Sequence, residues 1–136
     1  MGKALGIDYG AKRTGIAITD AMQIIASGLT TVPTHSLDNF IAKIVLKENI
    51  ECFVVGDPKN LDGSSTDITV HVEAFVKQLQ RLYPAMLVHQ IDERFTSKIA
   101  KQSILQSGIN RKGRQKKALV DKVSATIILQ DYLDYR

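Results

Sequence analysis

The sequence predicts an α/β protein whose mixed sheet is antiparallel at its start and parallel later, with helices on both faces. Short stretches typical of β-strands follow one another closely near the N-terminus, and after Pro33 apolar runs alternate with helical patterns. No repeat, low-complexity tract or linker divides the 136 residues. We therefore expect one domain, residues 1–136, with a core of its own.

The N-terminal part predicts a β-hairpin or meander. Ala4–Asp8 has the pattern of a short strand, Gly15–Thr19 follows after a glycine-containing turn, and a third extended stretch runs from Ile25 to Thr31. Because so few residues join these stretches, the strands are expected to pair antiparallel.

The next part predicts a helix and then a buried strand. Ser36 and Asp38 are alternative caps for the helix. Its apolar positions follow the 3.6-residue period at Phe40, Ile41, Ile44 and Val45. Cys52–Gly56 is a fully apolar run, typical of a central parallel strand that is covered on both faces.

The second half repeats this alternation. Ser64, Ser65 and Thr66 are alternative caps for a helix whose apolar side holds Val72, Phe75, Val76, Leu79 and Leu82. Met86–Ile91 predicts another strand, and Thr96 can cap a helix that stops at Gly108. A basic loop then leads to a last helix, from about Lys117 to Tyr132.

The composition is that of an ordinary globular protein, with 44% apolar and 24% charged residues. Cys52 is the single cysteine and sits in an apolar run, which favours a packed, unreactive thiol. No run approaches the roughly 18 apolar residues that a membrane span requires, and the N-terminus lacks a signal-peptide pattern. We therefore expect a cytoplasmic protein. His35, His71 and His89 are scattered, which favours structural or exposed roles.

Carboxylates stand at the predicted ends of two strands and on the last helix. Asp8 ends the first strand and the pair Asp92 and Glu93 ends a later one, so neighbouring strands would bring them to one rim of the sheet. Asp121 shares its helix face with the small or apolar residues Ser124, Ala125, Ile128 and Tyr132. This indicates that Asp121 points towards the sheet. Carboxylates buried together need neutralising partners, shifted pKa values or metal ions, and their hard oxygens suit Mg²⁺ or Mn²⁺.

Each acidic position also has an ordinary structural explanation. Asp8 could end a strand beside the turn at Gly10, and Asp92–Arg94 could form a solvated loop. Asp121 could lie in an exposed first turn of its helix, where the helix dipole favours negative charge. The positions favour a joint metal site because all three fall at edges consistent with one rim.

Four motifs resemble those of the YqgF/RuvX family, the Holliday-junction-resolvase-like nucleases of the RNase H fold. They occur in the family's order and span nearly the whole chain as Asp8–Ala17, Val55–Gly63, Asp92–Ser97 and Lys116–Gln130. The resemblance implies an RNase H-like sheet and metal-dependent phosphodiester hydrolysis. The family is associated with maturation of the 5′ end of pre-16S ribosomal RNA, which is the expected function.

The resemblance also implies residue roles. Asp8, Glu93 and Asp121 match the family's catalytic metal-site carboxylates, with Asp92 as the alternative to Glu93. The chain departs from the family pattern at Asp57, where relatives usually carry an apolar residue. Asp57 either brings a fourth carboxylate to the rim or is solvated, and we favour the second interpretation.

Basic residues crowd beside the last helix and hold much of the net charge of +4. They are Arg111, Lys112, Arg114, Lys116 and Lys117. In a loop next to the carboxylates, such a run favours phosphate contacts without sequence readout. Lys12 and Arg13 could add contacts in the same groove, and Arg94 either contacts phosphate or pairs with a nearby acid.

Several functions remain open at this stage. Structured RNA and branched DNA demand the same metal chemistry, so a Holliday-junction resolvase is the first alternative. A non-catalytic RNA-binding module for ribosome assembly is the second. The spacing Asp-x-Gly-x-x-x-x-Gly-x-Ala also resembles the first phosphate loop of actin-like and sugar-kinase ATPases, but those proteins need a second such domain. Cutting a junction would need a homodimer, whereas trimming RNA needs only a monomer.

Overall fold

Five strands form one mixed sheet in the computed structural model, which describes residues 2–58, 67–92 and 113–136, with only the backbone of 113–117. The strands are β1 (Lys3–Asp8), β2 (Arg13–Thr19), β3 (Ala26–Pro33), β4 (Ile50–Asp57) and β5 (Leu87–Asp92). They are ordered β3-β2-β1-β4-β5, with antiparallel pairing among the first three and parallel pairing of β1 with β4 and of β4 with β5. The predicted antiparallel start and parallel continuation are confirmed.

Helices pack on both faces of the sheet, as predicted. They are α1 (Leu37–Lys47), which follows a 3-10 turn at Thr34–Ser36, α2 (Asp67–Leu82) and α3 (Gly113–Tyr135). On one face, α1 and α2 form a core cluster with strand residues such as Leu5, Ile7, Phe53 and Val55. On the other face, α3 packs against Ala4, Ala17, Cys52 and Val54. The sheet is therefore covered on both sides, which explains why β1 and β4 are almost continuously apolar.

Neither predicted cap of α1 forms. Ser36 occupies the N-cap position without a side-chain cap, and its hydroxyl lies 3.2 Å from Nδ1 of His35. Asp38 lies within the first turn, where its carboxylate accepts a hydrogen bond of 3.0 Å from Gln78. The chain enters α1 directly from a 3-10 turn, which replaces a capping side chain at this end.

The predicted apolar face of α2 is buried except at its end. Val72, Phe75, Val76 and Leu79 lie in the core, but Leu82 is half exposed because it ends the helix, one turn beyond Leu79. The predicted caps at residues 64–66 and the predicted helix after Thr96 lie outside the described residues.

The last helix is longer than predicted, because it begins at Gly113 rather than near Lys117 and continues to Tyr135. Residues 113–117 are therefore helical, and the prediction of a loop there is wrong. Arginine, glutamine and lysine are good helix formers, so the charge run continues the helix instead of interrupting it. The early start also places Asp121 in the third turn, so the interpretation of an exposed first turn is wrong.

Cys52 is buried against α3, at 4% exposure. This confirms the prediction of a packed cysteine, and burial raises the pKa of its thiol, as expected for a thiol of low reactivity. None of the helices in the described ranges combines the length and the apolar character needed to cross a membrane.

Candidate metal centre

Asp8 closes β1 on the face of the sheet that α3 covers. Ala4 belongs to the α3 cluster, and a methyl group added at Gly6 would lie 2.9 Å from the Cβ of Leu129. Because side chains alternate along a strand, Asp8 faces α3 as well. Its side chain is partly buried there, at the carboxyl end of β1.

Gly15 lies between Asp8 and the backbone of Asp121. Gly15 is the antiparallel partner of Asp8, and partners in such a pair have Cα atoms about 5 Å apart. A Cβ atom at Gly15 would overlap the carbonyl group of Asp121 and would lie 3.0 Å from the amide nitrogen of Lys122. The backbone of α3 therefore rests directly on β2 at this point, and Asp121 is a neighbour of Asp8.

Asp121 forms an ion pair with the guanidinium of Arg13. The Nε of Arg13 lies 3.2 Å from Oδ2 of Asp121, and the two side chains are 36% and 25% exposed. Burial raises the pKa of Asp121, and the hydrogen bond and charge of Arg13 oppose that rise. A second contact fixes the helix nearby, because the Thr31 hydroxyl donates a 2.6 Å hydrogen bond to the carbonyl of Ala118.

Asp57 and Asp92 end adjacent parallel strands and are partners in the β-ladder. Val55 packs in the cluster of α1 and α2, so alternation places Asp57 on that face. Ile91 packs against the α3 cluster, so the next residue, Asp92, also faces away from α3. The structure therefore brings Asp8 and Asp121 together on one face and sets Asp57 and Asp92 on the other.

The predicted basic residues are distributed unevenly over the described chain. Lys12 is exposed in the turn between β1 and β2, next to Arg13. Arg114, Lys116 and Lys117 lie in the first turns of α3. Glu93, Arg94, Arg111 and Lys112 lie outside the described residues.

The donor set on the α3 face fits a hard divalent cation. Asp8 and Asp121 offer carboxylate oxygens, which Mg²⁺ and Mn²⁺ prefer. Ser124 lies one turn after Asp121, is fully buried, and has no hydrogen-bond partner for its Oγ within the described chain. Buried hydroxyls of this kind are normally hydrogen-bonded to protein or to a buried water molecule, so this position beside Asp121 suits a hydrated ligand. Within the same ranges, no group of three or more His, Cys, Asp or Glu side chains is placed to hold a metal.

Two supporting residues have roles that the sequence does not predict. The sequence predicts Gly15 only as a strand residue and Arg13 as a phosphate contact, whereas Gly15 receives the backbone of α3 and Arg13 pairs with Asp121. The recurrence of glycine seven residues after Asp8 was the available signal for Gly15. The pairing of Arg13 has no sequence signal, because the two residues are 108 positions apart.

Replacing Asp121 by Asn is expected to remove a pH-dependent cost to folding. Because the pKa of Asp121 is raised in the folded protein, the folded state binds the proton more tightly than the unfolded chain. Stability therefore falls as pH rises from the unfolded pKa through the folded pKa, and the full cost persists at neutral pH. Thermal melts between about pH 3 and about pH 8 should show that the variant gains in Tm relative to the parent as pH rises. If the Tm of the Asp121→Asn variant instead fell relative to that of the parent as pH rises, the raised pKa of Asp121 would be contradicted.

Two relatives match almost the whole chain. A protein of Flavobacterium johnsoniae is 51% identical over 98% of this chain and 96% of its own length, and one of Phocaeicola vulgatus is 52% identical with the same coverage. Both carry the name "Putative pre-16S rRNA nuclease".

Two solved structures share the fold. One is Thermus thermophilus RuvC in complex with a Holliday junction substrate, at a TM-score of 0.52 and 14% identity, with 91% of this chain and 92% of that chain covered. The other is a Fowlpox virus resolvase in complex with Holliday junction DNA, at a TM-score of 0.57 and 12% identity, with 97% of each chain covered. The predicted RNase H-like fold is confirmed. The family model RuvX, described as Holliday junction resolvase, matches residues 2–135, and the chain belongs to this family.

Proposed function

We propose that the chain is a metal-dependent nuclease that hydrolyses phosphodiester bonds in the maturation of the 5′ end of pre-16S ribosomal RNA. The observation that carries the proposal is the placement of Asp8 beside Asp121 on one face of the sheet. The names of relatives that are 51% and 52% identical over almost the whole chain support the same activity and substrate. A ribosomal RNA substrate would also place the protein in the cytoplasm.

Asp8, Asp121 and Glu93 are the proposed ligands of Mg²⁺ or Mn²⁺. Two of these carboxylates lie on the α3 face, and Asp92 faces away from it, which favours Glu93 over Asp92 as the third. When bound, a divalent metal supplies Lewis acidity, which lowers the pKa of a water molecule and neutralises charge on the phosphate.

The protein's own contribution is to hold the carboxylates in fixed positions. Asp8 ends a central strand that is paired on both sides, and Asp121 lies on a helix whose backbone is seated against Gly15. Arg13 offsets part of the negative charge of Asp121. Such preorganisation lets the ligands receive a charged substrate without rearranging the sheet.

Basic side chains near the carboxylates are proposed to bind phosphates. Lys12 is exposed at the same edge of the sheet, beside Arg13. Lys117 precedes Asp121 by one helical turn, about 6 Å along the axis, with Arg114 and Lys116 before it. Contacts of this kind fix the position of a nucleic acid without reading its sequence. The remaining proposed contacts are Arg94, Arg111 and Lys112.

Branched DNA is the second candidate substrate. It is favoured by the family description and by the fold shared with two resolvases solved with Holliday junctions. Symmetric cutting of a junction requires two active sites, so this function would require a homodimer. A monomer is sufficient for trimming RNA.

The decisive experiment is a cleavage assay with the purified chain. The substrates are precursor 16S ribosomal RNA, mature 16S ribosomal RNA and a four-way DNA junction, each with Mg²⁺, with Mn²⁺ or with EDTA. We expect cleavage of the precursor RNA with either metal and none with EDTA. Cleavage of the junction alone would support the resolvase. RNA binding that is unaffected by metal, without cleavage of any substrate, would show a non-catalytic module and would contradict the proposal.

A further inference from the structure

A proposed metal ligand already holds a cation supplied by the chain. Arg13 lies at the start of β2 on the α3 face and places its Nε 3.2 Å from Oδ2 of Asp121. The pair is part-buried, so its charges are less screened than those of a surface pair. Arg13 therefore neutralises part of the negative charge of Asp121 from the side of Oδ2.

A guanidinium and a divalent metal cannot both approach this carboxylate without mutual repulsion. Both are cations, and both would bind oxygens of the same carboxylate. A metal that binds Oδ2 displaces Arg13 from that atom, and a metal that binds Oδ1 is still repelled by the nearby guanidinium.

Arg13 is the member of the pair that can move. Its side chain is more exposed than that of Asp121, and the contact is a single hydrogen bond through Nε rather than a two-point fork. Asp121 is held by its helix, which is fixed against Gly15 and by the hydrogen bond from Thr31 to Ala118. Rotation about the side-chain bonds of Arg13 would carry the guanidinium towards solvent without disturbing the sheet.

We propose that Arg13 is a positioning residue that competes with the divalent metal for Asp121, and that metal binding releases its guanidinium to a phosphate of the nucleic acid. This inference rests on the proposed function. Without metal, the ion pair stabilises the buried carboxylate. With metal, the same arginine becomes available where the backbone of the substrate is bound, so metal binding and substrate binding are coupled.

The first test measures Mn²⁺ binding to the full chain by calorimetry, without nucleic acid. R13Q is expected to bind Mn²⁺ about fivefold more tightly than the parent, since an ion pair of ordinary strength no longer competes. R13K keeps the charge and should fall between the two. K12Q removes a neighbouring exposed charge without touching Asp121, so it should change the affinity by less than about twofold. Circular dichroism verifies that each variant is folded.

The outcomes separate this inference from the proposed function. If D8N weakens Mn²⁺ binding but R13Q leaves it unchanged or weaker, the metal site stands and competition by Arg13 is rejected. If D8N leaves Mn²⁺ binding unchanged, the proposed metal site fails, and the competition fails with it. If K12Q tightens binding as much as R13Q, general charge rather than the ion pair is responsible, and the inference is rejected.

The second test measures the release of Arg13 with a fluorescein-labelled RNA hairpin and Ca²⁺ in place of the catalytic metal. In Ca²⁺, R13Q should reduce the slope of log affinity against log salt by about 0.9, the value for one phosphate contact. In EDTA the parent and R13Q should have equal salt slopes, because Arg13 of the parent is then held by Asp121. If the slopes of the parent and R13Q differ by the same amount in EDTA and in Ca²⁺, Arg13 contacts phosphate permanently. That result would reject the proposal that metal binding releases Arg13.

Discussion

Replacing Asp8 by Asn is expected to lower the rate of metal-dependent cleavage by at least about 100-fold. Mutation of a residue that only supports a metal ligand already costs up to about 100-fold, and Asp8 is proposed as a direct ligand. The Asn side chain has the same shape but lacks the negative charge that a hard cation requires. Because Asp8 lies at the end of β1 and is only partly buried, the thermal transition should remain almost unchanged. Cleavage assays and thermal melts on the same preparations test both statements.

Asp134→Asn is a matched control for this change. Asp134 is exposed near the C-terminal end of α3, where it accepts a hydrogen bond from Gln130. The control makes the same chemical change far from Asp8, so it should retain full activity. Full activity of Asp8→Asn would remove Asp8 from the site, whereas equal loss in both variants would point to a general effect on the preparation.

Replacing Gly15 by Ala is expected to destabilise the protein by about 3 kcal/mol, at the upper end of the usual cost of overpacking. The added methyl group would collide with the carbonyl of Asp121, which belongs to a helix backbone and cannot rotate away. Either α3 lifts from the sheet or β2 bends, and both movements displace Asp121 from Asp8. Tm should fall by about 10 °C, and cleavage should be lost even well below the new Tm.

Gly28→Ala is the control, because Gly28 also lies beneath α3. A Cβ atom there would lie 2.9 Å from Cγ of Lys122 and 3.1 Å from Oγ1 of Thr126. Both atoms belong to side chains, which can turn about χ1, rather than to the helix backbone, so the expected cost is smaller than at Gly15, about 1–2 kcal/mol, and activity should persist below the new Tm. Similar losses of stability in the two variants would show that backbone contact at Gly15 has no special role.

Much of the fold follows from short-range pattern. Close spacing of the first strands predicted the antiparallel pairs, and the apolar run at Cys52–Gly56 predicted the central parallel strand. The helical period placed Asp121 on the same side as Ser124 and Ala125, which are buried. These predictions succeeded because a period of two or 3.6 residues records directly which face of an element is covered.

The errors arose where long-range contact or helix length decided the outcome. The basic run was predicted as a loop because it is polar, yet its residues favour the helix that the core holds in place from Ser124 onward. Asp8 and Asp92 do end parallel strands at one edge of the sheet, but β4 lies between β1 and β5, and the two residues face opposite sides. The register that decides this depends on pairing with β4, which the local sequence does not specify.

The long sequence separation between Arg13 and Asp121 has a consequence for synthesis of the chain. The two residues are 108 positions apart, and Asp8 lies further still from Asp121. At translation rates of about 5–20 residues per second, α3 emerges on the order of 5–20 seconds after β2. A nascent chain therefore carries Asp8 and Arg13 without their partner. The proposed metal site can therefore form only after α3 has been synthesised, and a nascent chain without α3 would lack the metal-dependent cleavage proposed above.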